Sequence, residues 1–348
     1  MNYQHIIIPE SCSILDALNK LNLLKDVSRL ILFVKADKNE SIIGSLTDGD
    51  IRRSLIKDRD LNKKVGEICN NEFYCESESE GFISLQRFRD RNIKILPLLD
   101  KNQNLRRVID LEKTRSVLPL ECVIMAGGRG KRLSPLTDSV PKPMLLLNGK
   151  PIIEYNIDRL ISFGIKKIYV SVNYLGEQIE SYFGDRSSKG VKIEYIWENK
   201  PLGTAGSLSL VSEFETNHII LMNSDLFTNV DFEKMYLKLI DNNADMVVAS
   251  SEYKVDIPFA IFETENEKVL KFKEKPSYMY HSNSGIYLFK KEWIKKIPEN
   301  TFFDITDLMN EIINDNKLLL HDPIRGYWID IGKPEDYQRA KEFVKRLK

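Results

Sequence analysis

Residues Cys122-Val123-Ile124-Met125-Ala126 form a short, unbroken apolar run that gives way at once to Gly127-Gly128-Arg129-Gly130. An apolar run without polar alternation suits a strand buried on both faces. A glycine turn at its end lets the backbone come close to a ligand and point N–H groups at it. Pro151 then opens a helix reaching to about Phe163, with Gly164 at its end. Further apolar strands are expected at Ile168 to Val172, Ile219 to Met222 and Met246 to Ala249. This alternation predicts a layered α/β domain over residues 119–348 with a mostly parallel sheet. Such sheets place ligands beyond the carboxyl ends of their strands, so the residues at those ends are the candidates for function.

The chain has 348 residues, more than one typical domain, and its first 118 follow a different pattern. A weak repeat of about 60 residues runs through them. The first copy starts at Ile6-Ile7-Ile8-Pro9 and enters a helix capped by Ser13, with Ile14, Leu18 and Leu21 on one face. It continues through strands at 30–34 and 42–46 to a helix opening at Thr47-Asp48-Gly49-Asp50. The second copy runs through Val65-Gly66-Glu67-Ile68, a helix from Phe82 to Arg91, and strands at 95–99 and 105–109. Order and lengths resemble a pair of CBS (cystathionine-β-synthase-type) motifs, a small α+β module. The resemblance implies that Thr47 and Asp50 hold the ribose of a regulatory nucleotide, its phosphate at a helix N-terminus. Helix capping by Thr47 accounts for the same residues equally well. The second copy has Asp110-Leu111-Glu112 in the corresponding place, so at most one such site is intact. CBS pairs pack face to face, which makes a homo-oligomer the expectation.

Lys+Arg and Asp+Glu both number 51, and this balance argues against nucleic acid or an anionic membrane as a partner. No apolar run is long enough to span a bilayer, and the N-terminal residues do not read as a signal peptide, so a cytoplasmic protein is expected. Four cysteines without a CxxC pair and four histidines without ligand spacing read as free thiols and no zinc site.

The glycine turn is not a Walker A loop, which would need Gly at Met125 and Ser or Thr at Arg132. Nor is it a dinucleotide fingerprint, since no third glycine stands near Leu133. The turn gains its specificity from its neighbours. Gly127-Gly128-Arg129-Gly130-Lys131-Arg132-Leu133 and Val140-Pro141-Lys142-Pro143 together resemble the signature of sugar-1-phosphate nucleotidyltransferases, which have a Rossmann-like fold. Further motifs stand in that family's order: Glu198 to Gly206, Asn223-Ser224-Asp225, Glu274-Lys275-Pro276, Asn283 to Tyr287, and Trp328 to Gly332.

The resemblance implies attack of a sugar phosphate oxygen on the α-phosphorus of an NTP, a reaction that converges negative charge and needs cations and backbone donors. Ala126, Gly127, Gly128, Gly130 and Lys131 would cradle the triphosphate. Arg132 would hold the leaving phosphates, Lys142 the reacting ones and Lys275 the sugar phosphate, while Glu274, Asn283 and Gly285 face the sugar. Lys131 departs from the family, in which many members carry Thr here. Asp225 and Asp330 would hold Mg²⁺, which takes one or two carboxylates plus phosphate oxygens. Capping or turn formation is the competing account of Asp225, and of Asp304 and Asp307 as well. Glu198, Gly203 and Thr204 would contact the nucleoside. A carboxylate at Glu198 can accept from the two adjacent donors of guanine, so GTP is the expected nucleotide, unless Glu198 points away and backbone reads the base. The CBS pair ahead of a guanylyltransferase-like domain resembles glucosamine-1-phosphate guanylyltransferases of legionaminic acid synthesis. Glucosamine 1-phosphate is therefore the expected acceptor; a mannose-1-phosphate guanylyltransferase, a uridylyl- or thymidylyltransferase, and a CBS nucleotide sensor with a degenerate transferase domain are the alternatives.

Overall fold

A computed structural model describes residues 3–24, 31–78, 81–187 and 190–347. Leu30, expected to open a strand, lies outside them. The chain divides into two compact units, Met1–Val117 and Leu118–Lys348.

In the first unit, Ile7–Pro9, Ile31–Lys35 and Ile42–Thr47 form a three-stranded sheet. The helices Ile14–Leu23 and Asp48–Asp58 contribute Ile14, Ala17, Leu21 and Ile51 to the same core as Leu32, Leu46 and Val65. Ser13 caps the first helix reciprocally with Asp16. The second copy departs from expectation. Only Gln86–Arg89 is helical, because Ile83–Ser84 pairs antiparallel with Ser116–Val117. Buried Ile83, Leu85 and Phe88 fit a strand that turns into a short helix as well as they fit one helix face. No helix follows Leu105–Asp110, where the Asp110 carboxylate accepts from the N–H groups of Glu112 and Lys113 in a turn.

The second unit is built on a seven-stranded sheet. Its strands in chain order are β1 (Leu120–Met125), β2 (Lys167–Val172), β3 (Lys192–Trp197), β4 (His218–Asn223), β5 (Met246–Asp256), β6 (Ser277–Lys290) and β7 (Leu319–Pro323). They lie in the order β3-β2-β1-β4-β6-β5-β7. Four of the six pairings are parallel, and both pairings of β6 are antiparallel. One face buries Val123, Leu221, Met246 and Phe289 against Leu308 and Ile312 of the helix Ile305–Asn314. β1 pairs with β2 on one side and β4 on the other, so the chain reverses its direction of travel across the sheet at β1. The crevice that such a reversal opens lies beyond the carboxyl ends of β1 and β4. Beyond the sheet body, β5 and β6 continue as a two-stranded arm, and the exposed hairpin Ile261–Glu265 with Lys268–Lys273 lies between them in the chain.

Candidate active site

A cleft of about 450 Å³ opens beyond β1 and β4, and its walls include Gly127, Gly128, Gly130, Lys131, Arg132 and Lys142. The turn after β1 needs glycine at two points. Gly130 has φ +61°, and a Cβ there would come within 3.0 Å of the Lys142 Cβ. At Gly127 a Cβ would lie 3.2 Å from both Asn173 and the Glu198 carboxylate. Ala126 is buried just before the turn and donates its N–H to Ser171 at 2.8 Å, extending the β1–β2 ladder. Arg132 is exposed and packs over Gly332, the nearest guanidinium atom 3.5 Å from where a Cβ would stand.

Lys142 is the unusual cation. It is only 8% exposed and pairs directly with Asp225, at the end of β4. Burial of a lysine demands such a partner. Asp225 is held from behind by Asn156, a buried residue of the helix Ile152–Ser162, whose amide donates to the carbonyls of Ser224 (3.3 Å) and Leu226 (2.9 Å). One Asp225 oxygen, Oδ2, accepts a hydrogen bond from the Lys142 ammonium, whereas the other, Oδ1, is buried without a hydrogen-bond partner. The strand Leu226–Thr228 pairs with Trp328–Asp330, and this register sets Leu226, next to Asp225, against Asp330. Asp330 is held above the usual carboxylate range, first by desolvation and then by the negative charge of Asp225, with Lys142 and Arg132 opposing. An orphaned carboxylate oxygen beside a second carboxylate that resists ionisation fits a divalent cation sharing its remaining ligands with phosphate. Among the described residues no cluster of three acidic, His or Cys ligands occurs.

Beside Gly127 in the cleft lining, Glu198 is 7% exposed. Its Oε1 accepts from the Ser171 hydroxyl at 2.5 Å and its Oε2 from the Leu202 N–H at 3.1 Å. The carboxylate therefore braces the loop after β3, and each oxygen keeps one acceptor position to offer. Gly203 and Thr204 also line the cleft.

A family model described as "Nucleotidyl transferase" matches residues 121–346, the unit that carries this cleft. The chain belongs to that family. The chain is 33% identical over 230 residues to the D-glycero-alpha-D-manno-heptose 1-phosphate guanylyltransferase of Aneurinibacillus thermoaerophilus, covering 64% of the chain and 97% of the relative. It is 29% identical to the mannose-1-phosphate guanyltransferase beta-A of Xenopus laevis, where 63% of the chain aligns with 62% of the relative's length. Among solved structures it resembles HddC from Yersinia pseudotuberculosis complexed with GMP-PN, with TM-score 0.51, 27% identity, and 64% of this chain and 99% of that one covered.

Not every expected residue reaches the cleft lining. Glu274 and Lys275 sit in an exposed bend between the hairpin and the start of β6, at the outer end of the arm, Lys275 with φ +42°. Asn283 is exposed on β6, and its side chain accepts from the Gly285 N–H at 3.0 Å. Gly285 has φ +72° and makes room for Asn223, a lining residue, whose Nδ2 would stand 2.6 Å from an added Cβ. Sequence reasoning missed Asn173, Asn156 and Phe302. Asn173 comes directly after β2, and that position beyond a strand end was the available signal. No helix among the described residues is long and apolar enough to cross a membrane.

In the first unit, Thr47 lines a separate cavity of about 360 Å³ with Phe33, Ser45, Asn70, Tyr74 and Lys94. Asp50 turns back on the chain. Its Oδ2 accepts from the Thr47 N–H (2.8 Å) and hydroxyl (2.6 Å), and its Oδ1 pairs with Arg53.

Proposed function

We propose that this protein transfers a guanylyl group from GTP to a sugar 1-phosphate, releasing pyrophosphate. The observation that carries the proposal is the pairing of buried Lys142 with Asp225 at the floor of a cleft rimmed by the glycine turn and Arg132. In this reading the turn's N–H groups and Arg132 take the β- and γ-phosphates, and Arg132 stabilises the pyrophosphate as it leaves. Lys142 meets the charge growing at the α-phosphoryl group, and the incoming sugar phosphate oxygen attacks in line with the leaving oxygen. Asp225 and Asp330 would hold Mg²⁺, which when bound neutralises phosphate charge. Lys275 and Glu274 would receive the sugar phosphate and its hydroxyls from the arm side.

GTP is favoured by the two free acceptor positions of Glu198, which suit the paired donors of guanine, and by guanylyltransferases among the relatives. For the acceptor, the proposal retains glucosamine 1-phosphate. Mannose and heptose 1-phosphates, named in the relatives' activities, are its rivals. Pyrophosphate release with four NTPs crossed against these three sugars and glucose 1-phosphate is the test. Signal confined to the GTP row is the expected result, and signal only with UTP or dTTP would discard the Glu198 argument.

We also propose that residues 1–118 act as a CBS pair, taking a regulatory nucleotide against Thr47 and Asp50 and supporting a homo-oligomer. Occupation requires Asp50 to exchange its bonds to Thr47 for ribose hydroxyls. Nucleotide titrations of the full chain should then show a second binding event beyond the catalytic one, lost in Asp50→Ala. A single event in both proteins would leave Thr47 and Asp50 as a helix cap only.

A further inference from the structure

Two segments remote in sequence, 201–206 and 301–305, are tied together at one wall of the cleft. Thr204 donates both its N–H (2.9 Å) and its hydroxyl (3.0 Å) to Oδ1 of Asp304. The same hydroxyl oxygen accepts the N–H of Ile305 at 2.9 Å. Backbone bonds flank this contact, with Phe303 N–H donating to Leu202 at 2.9 Å, and Ala205 and Gly206 N–H both donating to Phe303 at 3.0 Å. The turn has no slack. Gly203 has φ +79°, and a Cβ there would meet the Phe303 carbonyl oxygen at 2.7 Å and Asp304 Oδ1 at 2.9 Å. At Gly206 the clash would be with the Thr301 carbonyl oxygen, at 2.5 Å. Phe302, 60% exposed, is carried by the same segment into the cleft lining.

Helix capping accounts for only part of this arrangement. The helix Ile305–Asn314 has Asp304 at its N-cap in a capping box, in which the Asp304 side chain faces the Asp307 N–H and Asp307 accepts the Asp304 N–H at 2.9 Å. The Asp304 carboxylate reaches back across 100 residues to Thr204. A glycine turn left free would have to be ordered when ligand arrives, and that entropy would be subtracted from binding. We infer that Asp304 is a positioning residue for nucleotide binding, its carboxylate clamping the Gly203–Thr204 turn to the start of the helix so that the cleft wall is formed before the nucleotide enters. The inference rests on the proposed guanylyl transfer. It acts on affinity and leaves the chemical step alone, because the turn brings no charge to the reacting phosphates.

The test is calorimetric binding of GTP with Mg²⁺ to the full chain without sugar phosphate, alongside KM and kcat. Asp304→Ala is expected to raise Kd and KM for GTP about 10- to 30-fold with kcat within about twofold, the signature of lost preorganisation. Thr204→Val should do the same and the double variant no worse than either, because both remove one clamp. Thr204→Ser, which keeps the hydroxyl, should recover most of the affinity lost in Thr204→Val. If Asp304→Ala fails to fold, the Thr204 pair reads the same contact. Kd within twofold of wild type in Thr204→Val, multiplicative losses in the double variant, or a rise confined to the sugar phosphate KM would overturn the clamp. A wild-type chain that binds no nucleotide would overturn the functional reading with it.

Discussion

Asp225→Asn should reduce Mg²⁺-dependent turnover by about 1,000-fold or more, equivalent to about 4 kcal/mol of transition-state stabilisation. Two losses combine. The amide keeps an oxygen but not the charge that a divalent cation and Lys142 both require. Lys142 then loses its direct ion-pair partner and keeps only the Asp330 carboxyl nearby, at a cost of about 2 kcal/mol in stability, below the usual range for broken buried pairs because that second acidic group remains. For a unit of this size that lowers Tm by roughly 4–8 °C. The fold survives, since Asn156 still holds the turn through the carbonyls of Ser224 and Leu226. Adding Lys142→Met should return much of the lost Tm while turnover stays at the floor. Turnover near wild type in Asp225→Asn would remove Asp225 from the metal site. A double variant melting below the single one would show that Lys142 is not the source of the instability.

The parts of this molecule legible in the sequence were those where one local pattern allowed one answer. The unbroken apolar runs at 122–126 and 219–222 suited buried strands, and they became β1 and β4, the two strands that carry the cleft. Prolines around Lys142 and the Asn-Ser-Asp at the end of β4 pointed to the candidate site only together, since a turn or cap was a competing account of Asp225 alone. Illegible parts depended on contacts between distant segments. Nothing in the sequence near Glu198 announces that Ser171 will donate to it, because that bond depends on the β2–β3 register that sets Val172 against Trp197. The Asp304–Thr204 clamp is likewise a product of packing. At Ile83, Leu85 and Phe88, the spacing satisfies a strand and a helix alike, and pairing with Ser116–Val117 decided the matter. β6 was concealed for another reason. It is half sheet body and half exposed arm, and Ser277 to Asn283 are too polar to read as the start of a buried strand.

Asp330→Asn is expected to separate stability from activity in opposite directions. Asp330 is pushed above the ordinary carboxylate range by desolvation and by Asp225. Such a carboxyl holds its proton more tightly in the folded chain than in the unfolded one. Its effect therefore favours the fold at low pH and turns against it as pH rises through the ordinary carboxylate value to the folded value, beyond which the penalty is constant. The neutral amide escapes that penalty. Without metal or nucleotide, Asp330→Asn should melt above wild type near pH 7.5. The difference should vanish near pH 3.5, where the wild-type carboxyl is itself protonated. Turnover should nevertheless fall about 100-fold or more, because the second carboxylate that the proposal assigns to Mg²⁺ is gone. Adding Mg²⁺ with GTP should reverse the order of melting, since only the wild type has both carboxylates to gain from the cation. Under the proposed role of Asp330, this would be strain held in the site and relieved by its ligand. Equal melting of the two proteins at pH 7.5 without ligand would mean that Asp225 and Asp330 do not repel one another, and the case for a shared cation would lose its electrostatic basis.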